Sequence, residues 1–287
     1  DREKSFQNLK AAAYKGHINS MYKYGYKLSL DNGDQKHKEN ALNFIKKASD
    51  KGLLDSMSYY GILIARGYAD LANPKEGSRY IKISAQNGSI EGMFNYGYIL
   101  NFGIGVKANK EKAVKYFKLS IEKGNTNAML NYASMLKTGD GIPINNKEAA
   151  KYYKMAADKG NIDAMINYAS MLIEGDEIEF NKEEAAKYYK MAADKGNIQA
   201  IMKYSQILIN GDGVEVNTNE ATKYLKVAAD KGDEDAIHQL ALMLDNDTVL
   251  TKEEDVIYYK LSADKGNTKA MNKYASILFY GQGINAN

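Results

Sequence analysis

Lys151 to Ala164 reads KYYKMAADKGNIDA, and Lys187 to Ala200 reads KYYKMAADKGNIQA. The two stretches lie 36 residues apart and differ only in having Asp163 where the other has Gln199. Outward from this pair, Asn-Tyr-Ala-Ser-Met-Leu recurs at 131–136 and 167–172, and glycines recur at 16, 52, 88, 124, 160, 196, 232 and 266. Six of those glycine spacings are 36 and one is 34. Self-similarity at a fixed period of this length marks a stacked-repeat architecture, in which each unit is one supersecondary element.

Inside a unit, Ala164, Met165, Tyr168, Met171 and Leu172 share one helix face, which predicts a helix A over about 161–174 that Gly175 ends. Ala185, Ala186, Tyr189, Ala192 and Ala193 share a face of a second helix, B, over about 182–195, and its small side chains let a neighbour approach closely. Asn181 with Glu184, Asn217 with Glu220, Thr251 with Glu254 and Asn73 with Glu76 set a capping side chain three residues before a carboxylate. Pro74 stands at a first helical position, where no N–H is needed. Lys195-Gly196-Asn197 puts a cation in the last turn of helix B and a glycine at the reversal. So short a connection makes consecutive helices antiparallel, and each apolar face is covered only by the adjacent unit. The expected fold is all-α: a right-handed superhelical α-solenoid of antiparallel helix pairs, about eight 36-residue repeats and 16 helices.

Residues 1–287 are expected to form a single repeat domain. Helix B of a first unit fills 1–16, repeats follow at 17–52, 53–88, 89–124, 125–160, 161–196, 197–232 and 233–266, and helix A of a last unit fills 267–287. Tyr204 to Leu240 is 36 residues but Leu240 to Tyr274 is 34, which locates a two-residue deletion in the loop at about 244–251. Asp1 aligns with Asn181 as a cap and Asn287 with Asn217, and neither end carries an atypical capping repeat. The chain is therefore expected to be a segment of a longer protein.

Composition narrows the function classes. With 44% hydrophobic and 26% charged residues the chain is neither disordered nor membrane-embedded. Its 39 basic and 36 acidic residues are scattered, which gives no concentrated footprint for nucleic acid. No apolar run approaches the roughly 20 residues that span a bilayer, so no direct membrane insertion is expected of this segment. The absence of cysteine excludes disulfides and thiolate chemistry. A cytoplasmic setting is favoured, with the ER lumen or secretion as the alternative raised by the sequons Asn87-Gly88-Ser89 and Asn246-Asp247-Thr248.

The unit Ala200, Tyr204-Ser205, Gly211-Asp212-Gly213-Val214, Ala221 and Ala228-Ala229-Asp230-Lys231-Gly232 resembles the Sel-one-like repeat, a relative of the tetratricopeptide repeat (TPR) with a glycine-rich A–B loop. The resemblance covers essentially all of 1–287. The Gly-x-Gly stands at 103–105, 139–141, 211–213 and 281–283, and departs to Gly175-Asp176-Glu177 in one unit and is lost in the first, second and seventh. The resemblance implies adaptor or scaffold work, with a protein or peptide partner or a place in a large multi-protein assembly.

Features that could carry chemistry have plainer explanations. The methionines at 21, 57, 93, 129, 165 and 271 and the tyrosines at 24, 60, 96, 132, 168, 204 and 274 fall on the face that packs between helices, so both columns are expected to be core. The Gly-Asp-Gly loops lack a following Lys-Ser/Thr and read as turns. Glu183-Glu184 and Glu253-Glu254 sit in first turns, where the helix dipole favours anions. His17, His37 and His238 lie in distant repeats. No catalytic, cofactor-binding or metal-ligating residue is nominated, and no cofactor is expected.

The helix-A face opposite those columns is expected to line the concave side. One column there reads Tyr22, Ser58, Phe94, Leu130, Ile166, Met202, His238, Asn272, and its neighbour Lys23, Tyr59, Asn95, Asn131, Asn167, Lys203, Gln239, Lys273. Amides repeated beside apolar side chains suit an extended peptide, whose main chain the amides would bond and whose side chains the apolar column would seat. The expected groove is centred on repeats three to six, with Phe94, Asn95 and Tyr98, then Leu130, Asn131 and Ser134, then Ile166, Asn167 and Ser170, and finally Met202, Lys203 and Gln206. The alternative is that curvature buries the apolar column between successive A helices. Three functions follow in order of support: a protein-interaction scaffold using this face, a structural tile joined by end-to-end or lateral contacts, and an enzymatic or ligand-binding repeat protein.

Overall fold

A computed structural model of the chain describes residues 2–31, 33–175, 177–244 and 252–280. Asp1, Thr251, Asn287, the 281–283 glycines, the Asn246 sequon and all but the first residue of the shortened loop lie outside them. The described residues form sixteen α-helices and no strand. Backbone contacts gather them into two compact units, 1–152 and 153–287.

In the first unit α1 (Arg2–Tyr14), α3 (Gln35–Asp50), α5 (Pro74–Gln86) and α7 (Lys110–Glu122) are B helices, and α2 (Ile18–Leu30), α4 (Leu54–Ala65), α6 (Ile90–Phe102) and α8 (Thr126–Thr138) are A helices. The helix α9 (Asn146–Asp158) carries the boundary. The second unit continues with A helices α10 (Ile162–Glu174), α12 (Ile198–Asn210), α14 (Glu234–Leu244) and α16 (Thr268–Tyr280), separated by B helices α11 (Lys182–Asp194), α13 (Thr218–Asp230) and α15 (Lys252–Asp264).

The helix starts follow the capping chemistry. The Asn73 side chain accepts from the Glu76 N–H at 3.1 Å and donates back to the Glu76 carboxylate at 2.9 Å. Asn181 and Asn217 accept from the Glu184 and Glu220 N–H groups at 2.8 and 2.9 Å. The A helices are capped in the same way, Asn161 and Asn197 accepting from Ala164 and Ala200 at 2.9 and 3.0 Å. One asparagine thus opens each helix of these pairs.

The second glycine of the A–B loop answers to a close approach. A side chain on Gly213 would come within 2.5 Å of the Lys182 main chain, so the loop lies directly on the start of the preceding B helix, and its φ of 78° is left-handed besides. Where that glycine is lost, Glu177 adopts φ 60°, so the loop keeps a left-handed residue at some strain.

Helices touch at small residues: a side chain on Gly61 would meet the Gly77 carbonyl at 2.6 Å, which fixes α4 against α5. Tyr24, Tyr60, Tyr96, Tyr132, Tyr168 and Tyr204 are all buried, as the shared column predicts, and Tyr274 is half-buried. Met21, Met93, Met129 and Met165 are buried and Met57 half-buried. Met271 departs from the expected core and is 43% exposed. The reason is cover: Met21 packs in one cluster with Ala41, Phe44 and Ala48 of the helix that follows it, and no described helix follows α16.

Tyr168 and Tyr204 each join three helices. Tyr168 lies under the Lys154 ammonium at 5.4 Å and edge-on to Tyr188, while Lys154 reaches Glu184 at 2.5 Å. Tyr204 repeats this with Lys190 at 5.3 Å, Tyr224, and a Lys190 to Glu220 contact of 3.1 Å. Glu184 and Glu220 therefore tie successive repeats together as well as standing in helix first turns.

Candidate functional site

In the first unit the residues of the expected groove sit on neighbouring A helices. Phe94 and Tyr98 are half-buried on α6 and continue into Phe102, 57% exposed, with ring centroids 6.4 and 4.7 Å apart. This makes an aromatic ridge one turn per ring. Leu130 and Asn131 are half-buried and Ser134 exposed on α8. The amides already have partners: Asn95 donates to the Ser58 hydroxyl at 2.8 Å, and Asn131 to the Asn127 carbonyl of its own helix at 2.8 Å.

In the second unit the same column changes character. Ile166 is buried at 7%, so its side chain belongs to the packing, and Asn167 is half-buried. The Ser170 hydroxyl pairs with that of Tyr189 at 2.8 Å. Met202 is half-buried, while Lys203 and Gln206 are exposed, Gln206 donating to Asn210 at 2.9 Å.

A further cavity begins earlier in the chain than the expected groove. Tyr22, Tyr26, Asp55, Ser58, Tyr59, Glu91 and Asn95 line a cavity of about 320 Å³ formed by α2, α4 and α6. Three rings crowd its wall: Tyr26 and Tyr59 have centroids 5.0 Å apart, and Tyr22 lies 6.2 Å from each. The Ser29 and Tyr59 hydroxyls pair at 2.8 Å and hold that ring. Ser58 is the small residue of its column, between Tyr22 and Phe94, and leaves the space they would fill.

Two carboxylates share this cavity. Asp55 accepts from the Ser89 hydroxyl at 2.9 Å, and Glu91 from the Asn125 amide at 3.0 Å. Glu91 stands exposed at the cavity rim, yet partial shielding by the surrounding protein, and then the Asp55 charge, raise its carboxyl above the usual range despite the Asn125 bond. Burial, then the Asp55 charge, push the Tyr22 phenol up to about 12. Neither acid was singled out by the columns, because both fall one turn before the positions compared; the signal was Tyr59 breaking a run of amides and lysines.

Paired helices recurring every 36 residues, closed by glycine loops and locked by buried tyrosines, define a repeat solenoid. The family described as Sel1 repeat matches residues 18–53, 90–125, 126–161, 162–197, 198–233 and 268–287, more than half of the chain. The chain belongs to the Sel1 repeat family. No curated protein matches it. Among solved structures it is similar to a protective antigen of uropathogenic Escherichia coli displaying an SLR fold, at 22% identity and TM-score 0.74, over 95% of this chain and 59% of that one. It therefore spans well under two thirds of that relative's length. A Sel1 repeat protein of Oxalobacter formigenes aligns at 23% identity and TM-score 0.62, over 98% of this chain and 82% of that one. An immunity protein of Pseudomonas aeruginosa aligns at 16% identity and TM-score 0.57, over 76% and 82%. At these identities the likeness is one of fold. No described helix is long and apolar enough to cross a membrane.

Proposed function

We propose that this chain is a protein-interaction module that holds a peptide or protein partner along its helix-A face, without chemistry of its own. The observation that carries this is the aromatic surface of the first unit, where Phe94, Tyr98 and Phe102 run along α6 beside the tyrosine-lined cavity. Large rings with little conformational entropy to lose are the side chains that anchor partners most strongly. Membership in the Sel1 repeat family supports the same class of work. Leu130, Asn131 and Ser134 extend this surface within the first unit, and Met202, Lys203 and Gln206 offer a separate patch in the second.

The test is a random-peptide display selection on the whole chain, followed by affinity measurement with a Tyr98→Ala/Phe102→Ala variant. Selected peptides should bind the variant at least about tenfold more weakly, as expected for losing two anchor rings, with its melting temperature close to that of the parent. Unchanged affinity would reject this face.

A further inference from the structure

We propose that the cavity between α2, α4 and α6 binds the guanidinium group of an arginine side chain carried by the partner polypeptide. This rests on the helix-A face being the binding face, and it names the chemistry of one anchor on it.

Charge is the first reason. Along the column Asn19, Asp55, Glu91, Asn127, Asp163, Gln199, Asp235 only Asp55 and Glu91 are acidic neighbours. Four carboxylates later in the chain are met by a lysine of the preceding unit, Asp140 by Lys110 and Asp212 by Lys182 at 2.7 Å, and Glu184 and Glu220 by Lys154 and Lys190. Asp55 and Glu91 instead hold one neutral donor each and have no lysine or arginine within 4 Å among the described residues. Two carboxylates without a cationic partner thus line one cavity, both of them open to solvent at its rim.

The walls are the second reason. Tyr22, Tyr26 and Tyr59 line the same half-open space, and aromatic faces attract cations at exposed sites as well as dry ones. A lysine ammonium is compact and strongly hydrated. A guanidinium is planar, more weakly hydrated, stacks on rings and presents a fork of donors to carboxylates, so it satisfies both the tyrosines and the acids. The Asn95 carbonyl oxygen, its amide nitrogen being engaged with Ser58, is one more acceptor on the rim. A cavity of about 320 Å³ has room for the group together with part of its stem.

The experiment is an amide-resolved NMR titration of the whole chain with four pentapeptides, Ala-Ala-X-Ala-Ala, blocked at both ends, with X arginine, lysine, trimethyllysine or the neutral isostere citrulline. The arginine peptide should shift the amides of Tyr22, Tyr26, Tyr59 and Glu91. It should bind at least about tenfold more tightly than the citrulline peptide, and that advantage should vanish in Asp55→Asn/Glu91→Gln. Equal shifts from arginine and citrulline peptides along α6 and α8 would overturn the cation site while leaving the helix-A face standing. A preference for lysine or trimethyllysine would overturn the guanidinium assignment, and no shift at these tyrosines with any peptide would overturn the site altogether. The citrulline comparison is made on the unmodified chain, so it decides the matter whether or not the variant folds.

Discussion

The ring of Tyr168 meets that of Tyr188 at 90° with centroids 5.0 Å apart, one ring from helix A and the other from the helix B that follows it. The same edge-to-face pair recurs as Tyr132 with Tyr152 at 72° and as Tyr204 with Tyr224 at 89°. Edge-to-face pairs are worth about 0.5–1.5 kcal/mol beyond the area they bury, so the repeat period shows directly in the packing energy.

Tyr168→Ala is expected to destabilise the second unit by about 3–5 kcal/mol, the usual loss for a buried aromatic ring. Glu184→Gln, which breaks the partly exposed contact with Lys154, should cost no more than about 1 kcal/mol. Denaturant titration of both variants checks the order. A Tyr168→Ala loss below about 1 kcal/mol would reject the assignment of this face to the core.

The loop at 175–177 offers a gain instead of a loss. Glu177 sits at φ 60°, where Gly213 stands in a neighbouring unit, so Glu177→Gly should raise stability by up to about 1 kcal/mol. Gly213→Ala should do the reverse and cost about 1–3 kcal/mol, because the new side chain is both left-handed and pressed on Lys182. Equal melting temperatures for parent and both variants would contradict this loop geometry.

Alkaline pH should separate the first unit's tyrosines. Burial, then the Glu76 charge, hold the Tyr60 phenol at about 12, against about 10 in an unfolded chain. Above pH 10 the unfolded state releases this proton while the folded state keeps it, so stability falls as pH rises from 10 to 12, by about 2–3 kcal/mol from this group. Below pH 10 the contribution is fully present. Urea midpoints measured at pH 9 and pH 11.5 should fall less for Tyr60→Phe than for the parent; parallel losses would contradict the assignment.

How much of this was legible follows from what each feature depends on. Helix order, caps and the buried tyrosine column depend on residues a few positions apart, and the pattern Ala164, Met165, Tyr168, Met171, Leu172 exposes them directly. Met271 shares that pattern yet is exposed, because burial needs a covering helix as well as a face. The amide column was legible as a column but not in its bonding. Whether Asn95 is open to a ligand depends on Ser58, 37 residues away, and Ser58 reads as an ordinary small residue. The cavity was hidden for the same reason, since it forms where Ser58 leaves space and Asp55 and Glu91 meet across two helices.

The expected effect on Asn131 follows from its geometry. Its amide nitrogen donates to the Asn127 carbonyl at 2.8 Å on an exposed surface, so Asn131→Ala should change stability by no more than about 0.5 kcal/mol. Asn95→Ala removes the donor to buried Ser58 and should cost about 1–2 kcal/mol. Thermal melts of the two single variants test this, and a larger loss for Asn131→Ala would contradict it.

The most direct measurement of the central claim is amide hydrogen exchange on the whole chain with and without a display-selected peptide. Binding along the helix-A face predicts slowed exchange in α2, α4 and α6 with little change in α3, α5 and α7. Slowing confined to the B helices, or to the loops between the pairs, would contradict it.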